Sequence, residues 1–213
     1  MTHDGHDGTE PLTGAALTRA RVLDAAARLL GTVGLVRATT KEIAREAGCS
    51  EAALYKHFRD KEEIFVRVLR ERAPRLAAAV AELPGRAGED TVGEHLEAVV
   101  RVAVPFYRQS FPMAGSLFAS PELLAAHRAK LGDSGPHHVG VHLADYLRAE
   151  QRLGRVSTAV DPDAAAMLLI GACFHRAFLE LFYAGEGPAE AIRPVTLDEF
   201  ATATVRALLD GIR

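Results

Sequence analysis

The side chains whose types and spacing could do chemistry are concentrated between Thr39 and Phe58. Thr39-Thr40-Lys41-Glu42 reads as a capping box, with Thr39 as N-cap and Glu42 at N3 of a short helix. Gly48 stops that helix, and Ser50 is the N-cap of the next. Two short helices joined by a tight glycine-containing turn make a helix-turn-helix. Ala44 and Ala47 are small enough for a close crossing, Ile43, Leu54 and Phe58 fill its core, and Cys49 sits in the turn. Glu51, Ala52, Ala53, Tyr55 and Lys56 are left facing outward from the second helix. Side chains presented in this way can reach base edges in a DNA major groove, and alanine methyls can pack on thymine methyls.

Other chemistry has less support. His138 and His142 share a helical face, with His137 adjacent, at a spacing that can hold a metal. Only Asp145 is near enough to complete a ligand set, so a solvated or pocket-lining role is the better reading and no metal is expected. Cys49 and Cys173 are far apart and outside any CxxC, which suggests buried small hydrophobes in a reducing compartment. The chain contains no GxSxG, GxGxxG, P-loop, HExxH or CxxC pattern, so no enzyme activity and no cofactor are expected. An apolar effector site could be drawn from the aromatic-rich segment Phe106, Tyr107, Phe111, Met113 and Phe118. His142, Tyr146, Met167, Phe174, His175 and Phe178 would add to it. Core packing explains most of these residues equally well. His175 and Arg176 interrupt an apolar helix as a dimer contact, a rim, or an anchor for an anionic ligand.

The elements that must position these groups are helices. The 213 residues, 48% hydrophobic and 25% charged, suit one large or two small domains. Residues 1–14 are polar and glycine-containing and read as a disordered tail. Apolar residues then recur at helical spacing from Thr18 to Val33, and Gly34 is expected to end that helix. Asp60 with Glu63 opens a fourth helix, which Pro74 should kink or end. Further starts appear at Thr91 with Glu94, Ser120-Pro121, about Pro136, Asp161-Pro162 and Thr196 with Glu199. The helix from Thr91 is expected to reach about Gln109 with a bend at Pro105. About nine helices and almost no strand give an all-α protein.

Charge is unevenly distributed. Residues 15–61 carry nine Lys and Arg against five Asp and Glu, inside a chain of net charge −3. The longest apolar run, Ala164 to Phe174, is short for a bilayer, and the N-terminus lacks signal-peptide features. These features predict a cytoplasmic protein with no membrane partner.

The segment RARVLDAAARLLGTVGLVRATTKEIAREAGCSEAALYKHFRDKEEIF, residues 19–65, resembles the DNA-binding domain of the tetracycline-repressor (TetR) family. The resemblance lies in the TTKEIA helix start, the AGCS turn, the LYKHF helix and the DKEEIF opening. It implies a homodimeric, all-helical transcriptional regulator, usually a repressor released from a palindromic operator in double-stranded DNA by a small molecule. It divides the chain into a helix-turn-helix domain at 15–61 and a ligand-binding and dimerisation domain at 62–213. By position, Thr40, Tyr55, His57 and Lys61 resemble phosphate contacts, and Ser50, Glu51, Ala52, Ala53 and Lys56 the groove-facing set. Lys61 opposes the dipole at its helix start, which also suits a phosphate partner. Glu51 departs from relatives, where a basic or amide residue is common; it could accept from a cytosine amino group or repel phosphate. The dimer is expected through residues 162–184 and 196–211, whose apolar positions exceed one chain's needs. The alternative is an all-α metal- or redox-sensing protein or enzyme with an incidental helix-turn-helix.

Overall fold

The computed structural model describes residues 14–72, 76–131, 135–183 and 195–211. These residues form ten α-helices and one short 3-10 turn, in two compact units that divide after Arg72. The expected tail at 1–14 lies outside the described residues except for Gly14, which opens the first helix.

The first unit contains α1 (Gly14–Arg37), α2 (Thr40–Ala47), α3 (Glu51–Tyr55) and α4 (Lys61–Arg72). Val22, Leu23, Ala25 and Ala26 of α1 are buried with Ile43, Leu54, Phe58, Ile64, Phe65 and Val68. α1 packs on both α2 and α4, so α4 is part of this compact unit. Gly34 does not end α1, which runs on to Arg37. An internal glycine costs a helix only about 1 kcal/mol, which neighbouring turns can absorb.

The second unit contains α5 (Leu76–Glu82), the 3-10 turn (Leu83–Arg86), α6 (Val92–Phe118), α7 (Pro121–Leu131), α8 (His138–Arg152), α9 (Pro162–Tyr183) and α10 (Leu197–Gly211). α6 is the central element, packed on α5, α9 and α10, and α8 packs on α5 and α9. Its Leu96, Val99, Val100, Ala103 and Val104 meet Leu143 and Leu147 of α8, Leu169 and Cys173 of α9, and Val205 of α10 in one core. α6 passes Gln109 and includes both Pro105 and Pro112. The two prolines lie two turns apart, so their missing amide donors fall on the same side, where a long helix can curve.

Capping sets the helix starts. Glu42 and Glu94 each accept from the amide and hydroxyl of Thr39 and Thr91, at 2.7–3.0 Å. These hydrogen bonds hold both carboxyls below the usual glutamate range. Thr196 and Glu199 repeat the arrangement at α10. At α4 the box is shifted by one residue: Asp60 Oδ1 caps the Glu63 amide at 2.6 Å, while Glu63 accepts from the Arg59 amide at 3.0 Å.

A polar clasp is buried in the second unit. Glu150, with no solvent exposure, accepts from the Gly88 amide at 3.1 Å through Oε1. Its Oε2 lies 3.3 Å from Arg155 Nε. The Tyr146 hydroxyl lies near Glu150 and is 2.9 Å from His95 Nδ1. Burial and the neighbouring carboxylate push the Tyr146 phenol upward. Arg155 also donates to the Glu89 carbonyl at 3.3 Å and to that of Asp90. One ionised pair thereby ties the Gly88–Asp90 loop to the end of α8.

Candidate nucleic-acid interface

The turn between α2 and α3 is built on Gly48. Its φ of 65° and ψ of 40° are left-handed, its amide closes on the end of α2, and Cys49 N bonds to Ala44 O at 2.9 Å. Arg21 of α1 reaches across to donate to Gly48 O at 3.3 Å. A Cβ on Gly48 would lie 2.4 Å from Arg21 Nη2. Gly48→Ala should therefore lower the stability of the first unit by about 1–2 kcal/mol, through left-handed strain, and also break the Arg21 latch. Urea denaturation measures the loss, and Gly48→Asn should lose less because asparagine tolerates this conformation.

Past the turn, the Ser50 hydroxyl accepts from the Ala53 amide at 3.1 Å and starts α3. Leu54 and Phe58 point inward, with 0% and 1% exposure, which fixes the opposite side of α3 as the outer one. Ser50, Glu51, Ala52, Tyr55 and Lys56 are exposed, and Ala53 and His57 are half-buried. The regular helix closes at Tyr55, but Phe58 N still bonds to Leu54 O at 3.1 Å, so helical spacing carries through His57. The His57 ring sits edge-on to Phe58. Lys61 is half-buried, with Nζ 5.9 Å from the centroid of Phe65.

Thr40 joins this surface from α2. Its hydroxyl donates to Glu51 Oε1 at 2.5 Å and lies 3.3 Å from the Tyr55 hydroxyl. Thr40, Glu51 and Tyr55 therefore form one hydrogen-bonded group. Arg28 of α1 pairs with Glu46 at 3.2 Å on the outside of α2. Neither the Arg21 latch nor the Thr40–Glu51 bond was read from the sequence. Their partners are 27 and 11 positions away, beyond any helical period.

The residues proposed for an effector site do not form a single site. Tyr107, Phe111, Phe174 and Phe178 do meet, as a ladder of rings between α6 and α9 with centroids 4.7–5.6 Å apart, and Phe106 abuts Tyr107. Burial first, then Cys173, pushes the Tyr107 phenol up to about 12. Tyr146 belongs instead to the buried clasp with His95 and Glu150. Phe118 and Met167 are 73% and 75% exposed, because their helical phase turns them away from the core. His142 stacks with His138 along α8, and His175 is exposed. The Met113 side chain and Pro74 lie outside the described residues.

Arg176 has a structural role here: it pairs with Glu180 at 2.6 Å, donates to Val195 O at 3.1 Å and covers the Phe200 ring, pinning the start of α10 to α9. Burial pushes the Cys173 thiol up to about 12, which makes it a core group and a poor nucleophile. No cluster of three metal-ligating side chains occurs among the described residues.

α9 is more apolar than the run from Ala164 to Phe174 suggested. By length and a mean hydropathy of 1.6 it could cross a membrane. Its Ala165, Ala166, Leu169, Cys173 and Ala177 are nevertheless buried in the second unit's core, which accounts for one of its faces. Met167, Leu168, Phe174, Phe178, Leu181 and Phe182 are exposed on the other. An open groove of about 370 Å³ runs beside them, between Ala164 and Leu168 of α9 and Thr204, Ala207 and Leu208 of α10.

Comparison with known proteins gives consistent results. Residues 22–68 match the family described as bacterial regulatory proteins, tetR family. A helix-turn-helix-type transcriptional repressor of Mycobacterium tuberculosis is 37% identical over 66 residues, which are 31% of this chain and 35% of that protein. The chain thus spans about a third of the length of the curated relatives it matches. The fold extends further. A solved TetR-family regulator of Mesorhizobium loti superposes with a TM-score of 0.68 at 20% identity, over 94% of this chain and 98% of that one. The FadR regulator of Bacillus subtilis, solved with stearoyl-CoA, gives 0.66 at 16% identity, over 91% and 99%.

Proposed function

We propose that this chain, a member of the tetR family of bacterial regulatory proteins, is a DNA-binding transcriptional repressor released from a palindromic operator by a small, largely apolar molecule. The observation that carries the reading is the exposed face of α2 and α3. Ser50, Glu51, Ala52, Tyr55 and Lys56 are exposed there, beside the half-buried Thr40 and backed by a buried Leu54–Phe58 core. Ala52 and Ala53 leave room for close approach to base edges, and Lys56 is placed to reach into the groove. Thr40, Tyr55, His57 and Lys61 flank the groove-facing set as phosphate contacts. The 15–61 segment is the reading head, and α4 extends its unit to Arg72.

The dimer in this reading forms through Met167, Leu168 and Phe182 on the exposed side of α9, with α10. A two-fold pair presents two copies of α3, which a palindrome with half-sites a whole helical turn apart matches. The effector in this reading lodges against the Tyr107–Phe111–Phe174–Phe178 ladder, which suits an apolar body. The stearoyl-CoA held by Bacillus subtilis FadR is one such molecule. The effector acts only if it favours one arrangement of the reading heads over another, and a typical coupling lowers operator affinity about 5- to 150-fold.

The test is a gel shift with the region upstream of its own or the neighbouring gene, at two salt concentrations. Failure to shift any such fragment above random DNA rejects the reading. Lys61→Ala should weaken binding to every duplex and reduce the slope of log affinity against log salt by about one unit. A changed sequence preference with an unchanged slope would contradict a phosphate role. Calorimetry of an effector candidate with and without operator tests release; equal affinities would reject it.

A further inference from the structure

We infer that the Glu51 carboxylate occupies, in the free protein, the hydroxyl position that a DNA backbone phosphate takes in the complex, and so acts as a built-in competitor that lowers affinity for all duplexes. The inference rests on the reading of α2 and α3 as a DNA interface.

Three observations carry it. First, Thr40 and Tyr55 place two hydroxyl groups 3.3 Å apart on one exposed surface, from two different helices. Paired hydroxyls beside a groove-entering helix suit a phosphate oxygen. Second, an anionic oxygen is already there: Glu51 Oε1 accepts from Thr40 Oγ1 at 2.5 Å. Carboxylate and phosphate oxygens make the same charge-assisted bond to a hydroxyl. Third, the neighbouring Thr39 hydroxyl is committed to Glu42 and the α2 cap, so Thr40, half-buried, is the threonine whose hydroxyl meets Glu51 and Tyr55. Lys41 and Lys56, each next in sequence to one of the pair, are exposed.

Two anions cannot share the Thr40 hydroxyl. A phosphate that docks on it must displace Glu51, which breaks the Thr40–Glu51 bond and brings a like charge close. Glu51 is the exposed first residue of α3, one turn before Tyr55. The cost falls on every sequence alike, because it concerns the backbone contact and not a base. Glu51 therefore sets the general strength of the interface and suppresses non-specific binding.

The experiment measures fluorescence anisotropy of the full chain and its Glu51→Gln variant on a labelled random-sequence duplex and on an operator fragment, at low and moderate salt. The amide keeps the shape and removes the charge. The expected result is a rise in affinity of about 5- to 30-fold on both duplexes, shrinking as salt screens the repulsion. In a Thr40→Val background, the gain from Glu51→Gln should fall by at least half, because the contested hydroxyl is gone. An unchanged or lower affinity for the random duplex overturns the inference. So does an effect confined to one base pair of the operator, which would make Glu51 a reader of cytosine. Full retention of the gain in Thr40→Val overturns it as well. If the wild-type chain binds neither duplex, the interface reading itself fails, and the inference falls with it.

Discussion

With α9 as the proposed dimer face, a chain carrying Leu168→Glu and Phe182→Glu is expected to sediment as a monomer and to bind the proposed palindromic operator roughly 10²- to 10⁴-fold more weakly than the parent, because the second half-site would no longer be bound at high effective concentration. Both positions are about two-thirds exposed, at 66% and 67%, so glutamate can be accommodated there without disturbing the chain's own core. The case for a second copy as the partner of this face comes from α9 itself. Only 28% of its most apolar window is buried, although its mean hydropathy is 1.6. Gly171, exposed at the middle of the face, has nothing within 4 Å of an added Cβ, so two such helices could approach closely there. The measurement is sedimentation velocity at micromolar concentration, with circular dichroism to show that the variant is helical. A parent chain that is already monomeric, or a double variant that remains dimeric, would remove the interface from this face. Leu169, next to Leu168, is 1% exposed and belongs to the chain's own core.

The second large effect is expected at Glu150. Glu150→Ala should cost roughly 3 kcal/mol of unfolding free energy, since it leaves the Gly88 amide and Arg155 without their shared carboxylate. Arg155 is partly solvated, with 28% of its side chain exposed, which keeps the figure at the low end for a broken buried pair. Adding Arg155→Met to Glu150→Leu should recover only the part due to the stranded guanidinium, because the Gly88 amide still lacks its acceptor. Urea titration of the full chain reports both effects. A loss below about 1 kcal/mol for Glu150→Ala would mean that water replaces the carboxylate freely and that the clasp is not a dry structure.

The sequence was legible wherever the deciding interaction is local. The Thr39–Glu42, Thr91–Glu94 and Thr196–Glu199 boxes depend on groups three residues apart, and each forms as read. Gly48 is equally local, because its left-handed backbone follows from the residue type. Illegibility began where packing overrides propensity. Gly34 and the prolines of α6 carry stop signals that the structure passes through, since a helix held along its length tolerates a missing donor. Tyr146 was assigned to an effector site because an aromatic side chain in sequence does not disclose its partner. That partner, His95, is 51 positions away. Arg176 was ambiguous for the same reason, with its carbonyl acceptor at Val195. The exposure of α3 was legible because it is one short contiguous stretch beside the buried Leu54 and Phe58. The exposure of the aromatic residues was not, because it depends on the phase of α9 against α6.

The tether at Gly88 bears on how this protein opens. The Pro84–Asp90 connection has the exposed proline-glycine character of segments that proteases find first. Yet the Gly88 amide proton is held by a carboxylate with no solvent exposure, and the carbonyls of Glu89 and Asp90 are held by Arg155. Deuterium can replace that proton only when the end of α8 separates from the loop. The exchange rate of a surface residue then follows sub-global opening of the second unit, and not the faster fluctuation of a loop. Gly88 thus provides a peripheral timer for an event in the interior. Its amide would slow when anything stabilises α8 and quicken when anything loosens it.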